Sequence, residues 1–478
     1  MSTLRSLRLL GSVESGITLG PAFNTFLQDP GRLSEFHVLM SMRGQARRMA
    51  ASTTSMTAIM ASSIATNAVF ADTDINNPMV AKAIVANQTA ITTVSNDPVT
   101  LNIIGTNPIS WSLFKNSPWY ESRIKEVVAN LADLEPTAYT TANDIVTNPS
   151  AAASVVSYPR AMSAVIASPP TFTAMAGNAV AMGIVASDAV ATGIVANDYS
   201  AISIASSSTE AMDEFAGSNV AMPVLSGAAG AVQAIAANPA AWPVFLASPY
   251  FGASDKTIML NLVGLDPSDY NSFNAVIADA NALALVAANT EAVQTFAGNS
   301  GAMTALTASV NISVILGSDV AMGVIGTDTA AMTSFINTTS AMVPLLNSSA
   351  AKGFIVSSTP LVDAVAANAA MVSYMIANGV KTIPASLRAS TTITSQPFDG
   401  IPNKVMLLKL RANNIGAIPG TYTFAGSPAA GTGASDAIAL KGTVIETRVS
   451  GYTDLYWGVS GITVTPAVSP EVTYFDMT

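Results

Sequence analysis

Apolar and polar positions alternate in blocks of ten along most of this chain. From Thr171 to Tyr250 the sequence reads TFTAMAGNAV, AMGIVASDAV, ATGIVANDYS, AISIASSSTE, AMDEFAGSNV, AMPVLSGAAG, AVQAIAANPA, AWPVFLASPY. Each block runs Ala, a large apolar residue, two variable positions, one or two aliphatics, Ala or Gly, then Ser, Asn or Asp. The pattern returns from Gly301 to Val380, as in AMGVIGTDTA and AMTSFINTTS. A fixed short period marks a repeat array.

A short helix and one strand of a β-solenoid both fit a ten-residue unit, and proline separates them. Pro78, Pro98, Pro108 and Pro118 share one column; Pro149, Pro159, Pro169, Pro239 and Pro249 share the next. Most follow an Asn, Asp or Ser, among them Asn77, Asp97, Asn107, Asn148, Ser168 and Asn238. A capping oxygen followed by Pro is a helix start, because Pro there lacks only an N–H that would have no partner. Apolar residues then recur three and four apart, as in Met182, Val185 and Ala186. The sequence therefore predicts a mainly α, solenoid-like array of helices of about two turns. A helix of ~8 residues is unstable alone in water, so the units must lean on one another. Ala in the first column lets helices approach closely, and the Met or aliphatic beside it fills the gap. Pairing the helices in layers ~9 Å thick predicts a rod on the order of 130 Å. Pro223, Pro243 and Pro344 fall inside the units, which must start late or kink there. The frequent Val, Thr and Ser are what a β-solenoid would use.

The array covers residues 51–380, with interruptions near 121–140 and 251–271. The first, ESRIKEVVANLADLEP, reads as a longer amphipathic helix with Ile124, Val127, Val128, Leu131 and Leu134 on its apolar face, serving as an elbow or a contact with another chain. Residues 1–50 are basic, with Arg5, Arg8, Arg43, Arg47 and Arg48, and form either a cap on the first repeat or an anchor that docks on an acidic partner. From residue 383 to 478 the decad gives way to alternation, as in NKVMLLKLRAN and ITVTPAV. Short strands between Gly, Pro and Asn turns predict a C-terminal all-β domain, a sandwich or jelly roll. Tyr452, Tyr456 and Trp457 there are either core packing or an exposed binding face.

Composition narrows the class. Of 478 residues half are hydrophobic and 10% are charged, yet no run approaches the ~18 apolar residues of a spanning helix. The net charge of −10, with no Lys or Arg from Ala161 to Asp255, argues against nucleic acid as a partner. Without Cys and with one His, His37, the usual zinc sites and thiol nucleophiles drop out. A triad through His37 lacks a nucleophile elbow, and no phosphate loop occurs. Glu210 and Asp213 read as acids of a solvated helix start. Asp399, Asp436, Asp454 and Asp476 match no calcium loop. No catalytic residues, metal ligands or cofactors are expected, and the chain reads as a non-enzyme. The N-terminus does not read as a secretory signal.

Tandem decads such as AMGIVASDAV and AMTSFINTTS resemble the Ala-, Met- and Ser-rich arrays of structural proteins of tailed bacteriophages, tail fibres and neck or collar appendages among them. That resemblance spans roughly residues 51–380. It implies a virion component assembled in the host cytoplasm, docked to tail, neck or baseplate proteins through its N-terminus. It further implies a trimer or ring of copies and a distal β domain that meets a host glycan or protein, or another virion protein. A bacterial surface adhesin or matrix protein is the alternative class, and a tip depolymerase a third.

Overall fold

The structure is a computed structural model; it describes residues 29–32, 47, 49–70, 82 and 84–378, and beyond these eight strand segments. Cα packing divides the chain into two units, Met1–Ser254 and Asp255–Thr478. Each is taken by itself.

In the first unit the decads are helices of six to nine residues. One layer consists of Pro169–Ala176, Ala179–Ala186 and Ala189–Ala196, and the next of Tyr199–Ser206, Thr209–Ala216 and Ala221–Gly227. Each helix stacks on the one three decads earlier. The layers therefore hold three helices, not the two the sequence reading assumed, and thirty residues complete a turn. Ala179–Ala186 and Ala189–Ala196 are bent by 103° at their junction, close to a third of a full turn. The β-solenoid is overturned: residues 84–378 contain no strand.

The column rule follows from this geometry. Numbering each decad from the residue after its cap, the third, fourth, seventh and usually eighth positions face the interior, as Ala181, Met182, Val185 and Ala186 do. The third is Ala throughout Ala181, Ala191, Ala201, Ala211, Ala221, Ala231 and Ala241, each no more than 2% exposed, where layers come closest. Met, Phe, Ile or Trp at the fourth position and Val, Phe, Leu or Ile at the seventh fill the centre. Thr192 stands where Met182, Met212 and Met222 stand in nearby decads and satisfies its hydroxyl on the carbonyl of Val185 at 2.9 Å.

The corners carry a second code. Asn178, Asp188, Asp198 and Ser208 each sit in extended backbone and accept the N–H three residues on. Ser and Asn caps have a proton left to give, and several give it to the corner one layer below. Ser208, Ser218 and Ser248 Oγ donate to the carbonyls of Ala176, Ala186 and Ala216 at 2.7, 2.5 and 2.6 Å, and Asn238 Nδ2 donates to Ser206 O at 2.8 Å. The second unit repeats this with Ser318 on Ala287 and Asn368 on Ile336, both 2.6 Å. Asp caps have no such proton and only cap.

The prolines behave as their positions demand. Pro98, Pro108, Pro149, Pro159 and Pro169 each open a helix. Pro223 and Pro243 cannot donate to the first carbonyl of their units, so those helices start late, at Ala221 and Ala241. Pro344 lies inside Thr339–Asn347.

The first interruption is not a long helix. It is a 3-10 turn Glu121–Arg123, an α-helix Ile124–Leu131 of ordinary length and a second 3-10 turn Pro136–Ala138. Arg123, at φ −126°, separates turn from helix, and Asp133, at φ 56°, ends it in left-handed backbone with Leu134 N donating to Ala129 O. The apolar face is as expected for Ile124, Val127, Val128 and Leu131, which are buried, while Leu134 is half-buried.

The second interruption is the same device written again 131 residues later. Residues 111–147 and 242–278 share 11 of 37 aligned positions, including Trp111/Trp242, Phe114/Phe245, Lys125/Lys256, Pro136/Pro267 and Tyr139/Tyr270. Trp111, Phe114 and Tyr120 pack with centroids 5.9, 6.5 and 5.7 Å apart; Trp242, Phe245 and Phe251 repeat this at 6.0, 6.2 and 5.8 Å. Gly264, at φ 73°, replaces Asp133. Where Phe251 has no polar atom, Tyr120 donates to Ala164 O at 2.9 Å, and burial with the nearby Glu121 charge pushes its phenol well above the ordinary value.

In both copies a lysine closes the loop. Lys125 Nζ donates to Tyr139 O at 3.3 Å; Lys256 Nζ donates to Pro267 O at 3.1 Å and to Tyr270 O. Charged donors make this worth ~1.5–3 kcal/mol. Lys256→Ala is expected to cost about that much and to speed amide exchange at Leu265, with helix Asp255–Leu262 still protected; native-state hydrogen exchange checks it.

Beyond residue 378 the described segments are Val380–Thr382, Val405–Arg411, Pro419–Gly426, Asp436–Ala439, Val444–Glu446, Tyr456–Trp457, Val459–Thr465 and Glu471–Asp476, β1 to β8. They pair antiparallel in the orders β1-β8-β2-β5, with β6 also on β2, and β4-β3-β7.

Candidate functional site

Because the third, fourth and seventh residues of a decad point inward, the first, second and fifth form the outer surface. On most decads these are small. Larger side chains stand out at Val180, Val190, Tyr158 and Tyr250, and at the stacked pair Pro169–Ala176 and Tyr199–Ser206 together with the start of Thr209–Ala216. Beside that pair a groove of about 770 Å³ opens between layers. Tyr199 stands in it with 69% of its surface exposed, beside Thr173, Ser203, Ser207, Ser208 and Glu210.

The hydroxyls have a common polarity. Thr173 Oγ1 donates to Pro169 O at 2.7 Å, Ser203 Oγ to Tyr199 O at 2.7 Å and Ser207 Oγ to Ser203 O at 2.9 Å. Each proton is spent on its own helix, and each oxygen keeps a lone pair for the groove. The Ser208 hydroxyl lies within reach of both Ala176 O, at 2.7 Å, and Glu210 Oε2, at 3.0 Å. Its own backbone N–H and the Ser208 hydroxyl hold the Glu210 carboxyl below the usual range, so it is ionised at neutral pH. The nearest basic residues in the sequence are Arg160 and Lys256. The groove thus combines several hydroxyls, three of them presenting lone pairs, with one negative charge, one aromatic ring and the apolar Ala176 and Ile204.

The residues expected from sequence are not gathered here. Arg47 is exposed and helical; Arg5, Arg8, Arg43 and Arg48 lie outside the described residues, as do His37 and Tyr452. Tyr456 and Trp457 form β6 against Leu407 and Met406, and their side chains lie outside the description. Asp436 and Asp476 lie in strands, whereas Asp399 and Asp454 are not described. Glu210 occupies the first turn of its helix, as anticipated, and Asp213 is exposed one turn on. Among the described residues no three His, Cys, Asp or Glu side chains converge on an ion site. No single described helix is long and apolar enough to cross a membrane; the bent pair Ala179–Ala186 and Ala189–Ala196 passes that test jointly, but its third, fourth, seventh and eighth positions face the array interior.

Sequence reasoning passed over Tyr199. The signal was there: an aromatic in a column that holds Ala, Thr or Pro in the neighbouring decads. The chain matches no protein-family model and no curated protein.

Proposed function

We propose that this chain is a non-enzymatic structural component of a phage virion, a fibre or appendage whose array holds a fixed spacing. The observation that supports a spacer most is the corner code. Layer after layer is tied to the one below by a side-chain donor about thirty-two residues on. A stack so registered resists shear and can be lengthened by whole turns, which suits a part whose task is distance. In this reading the basic N-terminal segment, with Arg5, Arg8, Arg43, Arg47 and Arg48, docks on tail or neck proteins. The strands from Val380 onward form a sandwich or jelly-roll domain that meets the host surface or the next virion protein. Copies associate as a trimer or around a ring.

The test is location. Mass spectrometry of gradient-purified phage particles is expected to find the chain at a fixed copy number per particle, and antibody against the array to label tail or neck. Recovery only from a bacterial envelope fraction would replace this reading with a surface adhesin.

A further inference from the structure

We propose that the groove beside Tyr199 binds a neutral saccharide on the flank of the array. The polarity of the site selects the ligand. Thr173, Ser203 and Ser207 offer lone pairs, and the Tyr199, Ser200 and Thr209 hydroxyls can also donate, so a matching occupant carries both donors and acceptors. Sugar hydroxyls are both. The exposed Tyr199 ring supplies a platform for the C–H face of a pyranose, large in area and low in conformational cost. Glu210 accepts one further hydroxyl and, with no Lys or Arg from Ala161 to Asp255, repels sulfated and uronic sugars. The groove, about 770 Å³ and open to solvent along much of its length, leaves room for a short oligosaccharide lying on the surface.

The duplication supplies an internal control. Past Ser309 the second copy runs one residue shorter, so Tyr199 corresponds to Thr329 and Glu210 to Ser340. The scaffold hydroxyl is retained: Thr304 Oγ1 donates to Ser300 O as Thr173 does to Pro169 O. Ser340 takes over the layer bond, to Thr307 O, that Ser208 makes to Ala176 O in the first copy. The array therefore folds with Thr and Ser at these two positions. The ring and the carboxylate are additions to the scaffold.

The experiment uses the full chain. Saturation-transfer NMR and calorimetry are run against neutral oligomers of glucose, galactose, mannose and N-acetylglucosamine, with polygalacturonate, heparin and spermine alongside. At least one neutral series is expected to bind. Tyr199→Thr should weaken it about tenfold, as loss of an aromatic platform does, and Tyr199→Phe less than about threefold. Glu210→Ser should also weaken it, while Thr329→Ala leaves it unchanged. Since both first-copy variants install residues the second copy already carries, unchanged helical circular dichroism is expected. Binding of no neutral sugar, binding insensitive to Tyr199→Thr, or binding confined to the acidic polymers or spermine would overturn the assignment.

Discussion

Removal of ten residues, Asp188–Asn197, is expected to leave a folded, cooperatively melting protein, and removal of five, Asp188–Thr192, to break it. The ten-residue deletion joins Ser187 to the cap Asp198, so the corner keeps a side chain that accepts the first free N–H. Tyr199–Ser206 then takes the side vacated by Ala189–Ala196 with the same columns facing inward. Ser208, which now bonds to Ala176 O, would face the carbonyl of Ile166, the equivalent position one decad earlier. Nothing buried becomes exposed, and the melting temperature should move by a few degrees. The five-residue deletion removes the Asp188 cap, worth ~1 kcal/mol, and the buried Ala191 and Thr192. The remaining Gly193–Ala196 would be ~6 Å long as helix where the side of the layer spans ~12 Å. The chain can cross only by unfolding a neighbouring decad, which exposes core side chains at ~1.5–3 kcal/mol each. Against a total stability of ~5–15 kcal/mol that is ruinous. Urea titration with limited proteolysis reads it: one cooperative transition for the first variant, early cleavage between residues 178 and 227 for the second. Equal tolerance of both deletions would mean the decads are not registered.

Much of that argument was legible in the sequence. A capping oxygen before Pro, in a fixed column, gives helix start and helix length together, as Asp97–Pro98 and Asn148–Pro149 confirm. Three helices per layer were not legible. The decad says where a corner falls, but the angle is set by the cap's extended backbone, as at Asn178 with φ −119° and ψ 105°. All sides carry the same columns, so nothing in the sequence tells two from three. The long helix expected over 121–136 failed because its apolar spacing continues through Asp133, whose left-handed backbone leaves no trace in periodicity. The twin of that interruption could have been read directly, since its Trp, Phe, Ser-Pro, Lys, Asn-Leu and Tyr recur at one offset; a ten-residue window hides a 131-residue period. Of the groove, the ring and carboxylate are plain in the sequence, but only stacking thirty residues apart brings Thr173 beside Ser203.

Phe215→Ala is expected to be the most damaging single substitution in its layer. The interior of that layer is filled by Ile202, Ala205, Met212, Phe215, Met222 and Leu225, all of them buried. Ala205 is the smallest of the six and Phe215 the largest; the layer below balances Thr192 against Phe172 in the same way. Truncating Phe215 removes a ring that Met212 and Met222 can fill only in part, because helices of two turns tied at both corners have little room to slide. Loss of transfer energy and the residual cavity together should cost ~3–5 kcal/mol. Phe215→Leu, which keeps most of the volume, should cost less than about half of that. In a stack whose layers touch only their neighbours the loss should stay local. Amides of Thr209–Gly227 and of the layers directly above and below should exchange faster, while those of Ile124–Leu131 keep their protection. The exposed Tyr199, three residues before Ile202 of the same core, is the contrast: Tyr199→Thr should shift stability by no more than ~0.5 kcal/mol. Denaturant titration of the two variants side by side decides the matter, and a Phe215→Ala cost as small as that of Tyr199→Thr would mean that the interior is not packed as described.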